Sequence, residues 1–140
     1  MKNKTLAVWL TFLTGPLGLH RLYLYGRYGI WSWLTLVPLL LGSYGFLRAR
    51  YISLDDQLSW LLIPLLGLTI SAYALRAIVY GLQSAAAWNT RFNPGEDLEA
   101  HAGQTHGLTV FGLGTALLVG TSVLMATIAF SFQRIFEFSA

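Results

Sequence analysis

The chain contains no cysteine. That excludes a disulfide framework, a thiolate metal site and a cysteine nucleophile, and it leaves the redox compartment unread. Charge is scarce as well. Asp, Glu, Lys and Arg make up 11% of the residues, against roughly 25% in a soluble domain. None of the six acidic residues falls inside the apolar segments described below, so those segments offer no carboxylate for ion pairing or acid–base chemistry. The short alternating segments of an outer-membrane barrel are missing too.

What fills the 140 positions instead is apolar: 55% of the chain is hydrophobic and the mean hydropathy is +0.57. A body this small leaves much of its surface exposed, so lipid is the expected surroundings. The net charge of +3 sits between the apolar runs. That placement suits anionic headgroups and membrane orientation, and no nucleic-acid binding is expected.

A hydrocarbon core of about 30 Å needs roughly 20 helical residues. Four apolar segments stand out: Thr5 to Leu19, which is short, Ile30 to Leu47, Leu58 to about Gln83, and Leu108 to Phe132. Each should be helical, because in lipid every backbone group must be satisfied within its own segment. The expected fold class is therefore all-α: a polytopic membrane protein of about four transmembrane helices that begins with a short helical hairpin. The expected units are a two-transmembrane hairpin over 1–47, a third transmembrane helix with its flanks over 48–88, a polar loop over 89–106, and a fourth helix with a tail over 107–140. Lys2 and Lys4 ahead of Thr5–Leu19 have the form of a signal peptide, but no small-x-small site follows, so the segment reads as retained.

Proline and aromatic residues refine this plan. Gly15-Pro16 should stop or kink the first segment. Pro38 and Pro64 lie within the second and third, as kinks or as the broken helices of a transport path. Tyr23, Tyr25, Tyr28, Trp31 and Trp33 crowd the start of the second segment, Tyr51 and Trp60 flank the next loop, and Tyr80, Trp88 and Phe92 follow the third. All are expected as headgroup-level anchors. In the polar stretch, Asn93-Pro94-Gly95-Glu96 has the order of an N-cap, a first-turn proline and a capping acid. It predicts a short helix to about Ala102, closed by Gly103. If all four segments span, Lys2, Lys4, Arg48, Arg50 and Arg134 share one side against Arg21, Arg27 and Arg91. Both termini are then cytoplasmic, in what is expected to be a bacterial inner membrane. If the short first segment does not span, Arg21, Arg27, Arg76 and Arg91 join the lysines and the C-terminus changes sides.

The most specific stretch is Leu13-Thr14-Gly15-Pro16-Leu17-Gly18-Leu19-His20-Arg21-Leu22-Tyr23-Leu24-Tyr25-Gly26, preceded by Lys2-Asn3-Lys4. It resembles the TM-two domain family of small two-transmembrane proteins over about residues 1–47. That family pairs a lysine-rich start and an apolar helix with a His-Arg-Phe-Tyr-Leu-Gly turn and a second apolar helix. The resemblance implies a hairpin closed by Gly18, His20, Arg21, Tyr23 and Gly26, and no particular activity. Leu22 stands where the family usually has phenylalanine, and Tyr25 is inserted before Gly26. Trp60 to Gly67 lacks the family's frequent aspartate. Physically, the turn is expected at the membrane surface, with His20 and Arg21 bonding helix-end carbonyls or lipid phosphate. It serves either as an anchored corner or as a recognition site.

No catalytic residue, metal site or cofactor is expected. His101 and His106 are five apart, which does not suit adjacent ligands on one helical face. Arg76 lies within the third segment, either reaching to the interface or pairing with an acid on another subunit. Gly112, Ala116 and Gly120 recur at spacing four, a face for close packing within the chain or against another chain. The expected function is a non-enzymatic accessory, assembly or stabilising subunit of a larger membrane complex, whose partners are membrane lipids, other subunits or a second copy of itself. The alternative is a small oligomeric transporter or channel.

Overall fold

The computed structural model describes residues 2–26, 29–53 and 56–139, without the Trp31 side chain. The expectations for Arg27, for Tyr28 and for the Trp31 ring lie outside the described residues. Within them the protein is all-helical, with six α-helices and no strand: α1 (Lys4–Thr14), α2 (Leu19–Tyr25), α3 (Ile30–Tyr51), α4 (Gln57–Leu82), α5 (Ala85–Phe92) and α6 (Gly107–Ser139). Two of them, α4 and α6, are long and apolar enough to cross a membrane. The 22 residues of α3 reach about 33 Å at 1.5 Å per residue.

The first apolar segment behaves differently from the expected span. Asn3 caps α1, its side-chain oxygen accepting from the Thr5 amide at 2.9 Å. After 11 residues, about 17 Å of helix, the chain enters a 3-10 turn at Gly15–Leu17, where Pro16 has no amide to continue the ladder. Gly18 then adopts φ 79°, a left-handed conformation that costs any residue with a Cβ. The turn reverses the chain, and α2 runs back beside α1. The Asn3 amide donates to the Tyr23 hydroxyl at 2.8 Å, so the start of α1 and the end of α2 are neighbours. The hairpin is therefore made of α1 and α2 alone, and it enters and leaves at one end of the bundle.

Around it, α4 is the central helix, touching α1, α3 and α6. It runs antiparallel to α3, with Gly42 against Leu66 and Gly45 against Leu62. It runs antiparallel to α6, with Gly67 against Thr127, Gly120 against Ala74 and Gly81 against Leu113. The hairpin lies between α4 and the start of α6: Val8 approaches Gly81 and Gly112, and Tyr73 lies against Gly15. Pro38 and Pro64 sit inside α3 and α4 without ending either helix. Lys4 is fully buried, and its ammonium donates to the Gln83 carbonyl at 2.9 Å and the Thr105 hydroxyl at 2.7 Å. Lys4, Leu82 and Gly107 thus share one end of the bundle, while Tyr51, Gln57 and Ser139 share the other. The termini lie at opposite ends, unlike the arrangement that four full spans would give.

The polar stretch also differs from expectation. The helix is Ala85–Phe92, capped by the Ser84 hydroxyl, which accepts from the Ala87 amide at 3.1 Å. Residues 94–100 form turns, with a 3-10 turn at His101–Gly103. The reason is tertiary. Asn93 does not cap a following helix; its side-chain oxygen accepts from the Lys2 amide at 2.6 Å, and its amide nitrogen donates to the Lys2 carbonyl at 3.0 Å. Gly95 at φ 88° then turns the chain out of helical geometry.

Candidate functional site

A groove of about 720 Å³ opens on the side of the bundle, between α2, α3, α4 and α5. Its floor is apolar, formed by Pro38, Leu65, Leu68, Leu75 and Val79, with Thr35, Thr69, Tyr73 and Tyr80 among its walls. At the Lys4 end, three arginines from three elements line it: Arg21 from α2, Arg76 from α4 and Arg91 from α5. The left-handed Gly18 and the return of α2 are what carry Arg21 there.

The three cations are held unequally. Arg91 donates to the Tyr25 hydroxyl at 3.0 Å and stacks over Phe92 at 4.9 Å. Arg21 and Arg76 make no ion pair or hydrogen bond with the described residues, and the half-buried Arg21 has its Nε out of contact with solvent. The salt bridges among the described residues, Arg48–Asp56 at 2.7 Å and Arg134–Glu137 at 2.6 Å, stand at the opposite end. Among the described residues nothing acidic lines the groove. Behind it, His20 is 0% exposed, with its ring 5.5 Å from Tyr73 and 6.4 Å from Tyr80 and neither nitrogen partnered. His20 is thus inside the bundle, and the expected surface corner is corrected. The hairpin tip packs on α3 and α4, with Thr35 donating to the Pro16 carbonyl at 3.3 Å.

The structure brings Arg21 and Arg76 to one site, although they are 55 positions apart in the chain. Tyr23 stands aside, its ring 5.2 Å from the Lys2 ammonium, and Gly26 ends α2 at φ 73°. Gly112, Ala116 and Gly120 are buried away from the groove: Gly112 faces Val8 and Trp9, and Gly120 faces Ala74. That face therefore serves packing within the chain. His101 and His106 rings stand 4.2 Å apart, and no group of three or more His, Asp or Glu that could hold a metal occurs among the described residues.

No known protein family, curated protein or solved structure matches this chain.

The groove must therefore be read from its own chemistry. It offers guanidinium donors and aromatic walls above an apolar floor. Such a surface has the chemistry to hold an anion attached to something apolar. Sequence reasoning weighed Arg91 only as an orientation charge and Tyr25 and Tyr80 only as anchors. The available signal was the apolar length of the third segment, which sets Arg76 close to the end of its helix and Arg91 just beyond it.

Proposed function

We propose that the chain is a small, non-enzymatic integral membrane protein that serves as an accessory subunit and works by binding an anionic component of the membrane in the Arg21/Arg76/Arg91 groove. One observation carries this reading: three cations from three elements line a single apolar groove in which no acid stands among the described residues. In low dielectric, uncompensated guanidinium groups are costly unless an anion joins them, so the arrangement favours an anionic occupant, a lipid headgroup or an acidic group of a neighbouring chain.

In this reading α3, α4 and α6 cross the bilayer and the α1–α2 hairpin dips in and returns, three crossings in place of four. The TM-two resemblance, over about residues 1–47, then covers the re-entrant hairpin and most of α3. Lys2, Lys4, Arg21, Arg76 and Arg91 mark one end, and Arg48, Arg50 and Arg134 the other. Five against three favours the Lys4 end in the cytoplasm, and Ser139 across the membrane, in a bacterial inner membrane. The reading with both termini cytoplasmic gives way to this one because the hairpin returns to its own end.

A transporter or channel ranks second. The hydroxyls of Thr69, Ser71, Thr115, Thr127 and Ser131 donate to carbonyls of their own helices, which gives no support to a hydrated path. Purification from native membranes in mild detergent tests the leading reading. A bound lipid or a co-purifying membrane chain is expected, and Arg76→Ala should deplete it. Recovery of a bare monomer with neither would sink it.

A further inference from the structure

We propose that the groove is the binding site of one anionic phospholipid, with the phosphate between Arg21, Arg76 and Arg91 and an acyl chain along Leu65, Leu68 and Pro38. The inference rests on the reading above and commits it to one occupant.

Three features select that occupant. The first is charge. Among the described residues Arg21 and Arg76 have no acidic partner, and the Arg21 Nε is closed off from solvent without an acceptor. A buried donor left unmade is expensive, and a phosphate oxygen is the acceptor that guanidinium geometry fits. The second is shape. The arginines approach from α2, α4 and α5, that is, from separate elements. A carboxylate has two oxygens in a plane and is satisfied by one fork, whereas a tetrahedral phosphate presents oxygens in several directions. The third is the floor. From Arg76 to Leu65 along α4 is about 16 Å at 1.5 Å per residue, close to half the bilayer core. The groove is open at the side, the face that the bilayer would cover in the reading above. Inorganic phosphate would leave that apolar length uncovered, while a diacyl lipid covers it.

The Arg end of the groove is the end carrying Lys2 and Lys4, which in the reading above, itself drawn from these same cations, meets the anionic leaflet in the cytoplasm. The opposite end has its own cations, but Arg48 and Arg134 are already paired with Asp56 and Glu137.

The test is native mass spectrometry of the full chain, delipidated in mild non-ionic detergent and titrated with phosphatidylglycerol, with phosphatidylcholine of the same acyl chains, and with inorganic phosphate. One phosphatidylglycerol per chain is expected to survive gas-phase activation, with affinity about tenfold or more above phosphatidylcholine, equivalent to about 1.4 kcal/mol. Arg76→Gln, an exposed position tolerant of change, should lower that affinity about tenfold. Arg21→Gln should do the same, while Arg50→Gln, at the other end, should leave it unchanged. Circular dichroism and monodisperse elution establish that each variant folds. Equal retention of the two lipids, full occupancy by inorganic phosphate alone, or wild-type binding by folded Arg76→Gln overturns the inference. If no lipid binds yet a membrane chain co-purifies and is lost on Arg76→Gln, the lipid assignment fails while the accessory reading stands. A bare monomer that binds neither removes both.

Discussion

Asp56, just before α4, shows how a single side chain is set by its neighbours. Its carboxylate accepts from Arg48 Nε at 2.7 Å, from Arg48 Nη2 at 3.2 Å and from the Ser59 hydroxyl at 2.7 Å. These bonds, the Arg48 ones first, hold its pKa down at about 2. An unfolded aspartate titrates near about 3.9. A depressed folded value stabilises the native state above the unfolded pKa, and that stability is lost as pH falls through the folded one. Acid unfolding in detergent, followed by circular dichroism, should therefore show a loss of stability between about pH 4 and 2, and Asp56→Asn should flatten that part of the curve. An unchanged slope in Asp56→Asn would show that Asp56 contributes nothing to it. The same scale explains what sequence reading missed. Asn93 has the identity and spacing of a helix cap, but Lys2 takes both ends of its amide. A partner 91 positions away leaves no local trace. Arg21 and Arg76 were each legible as unusual, but their meeting depends on the backbone of Gly18.

At the scale of elements, helix identity was largely legible and helix path was not. The apolar runs from Ile30, Leu58 and Leu108 became α3, α4 and α6 with shifts mainly at their ends, because length and hydropathy are local properties. The first run also became helical, but its return as α2 turns on one left-handed glycine and on tertiary contacts. Close approach of α4 and α6 rests on small residues. A Cβ at Gly120 would stand 2.7 Å from the Ala74 Cβ, whereas one at Gly114 would meet nothing within 4 Å. Gly120→Leu should therefore destabilise the protein by about 1–3 kcal/mol through overpacking. Gly114→Ala should remain within about 1 kcal/mol of wild type, on the stabilising side, because alanine is the better helix former. Thermal unfolding of both variants in one detergent measures this. Equal losses would mean that the α4–α6 contact does not govern stability.

At the scale of the whole molecule, the hairpin decides sidedness. In the proposed reading, a segment that enters and leaves at one end leaves three long helices to cross, and the ends of the chain then face opposite compartments. Because the protein contains no cysteine, one introduced thiol reports one position. Thr90 lies in α5 at the Lys4 end and Ser139 closes α6 at the other, both exposed. A membrane-impermeant maleimide applied to intact cells should label Ser139→Cys and spare Thr90→Cys until the cells are opened. Labelling of Thr90→Cys alone would reverse the orientation. Equal labelling of both would refute three crossings.

The tie between Lys2 and the Asn93 region also bears on how the protein is made. Lys2 exchanges two hydrogen bonds with Asn93, and its carbonyl accepts a third from the Trp88 indole at 3.0 Å. Synthesis runs from the N-terminus, so the hairpin emerges long before the residues that fasten it, and α6 follows later still. Lys4 cannot find Thr105 until the chain has grown by a further 101 positions. In the proposed reading the first apolar segment therefore waits for its partners, and its docking, which gives the groove the wall that carries Arg21, follows the synthesis of Trp88, Asn93 and Thr105.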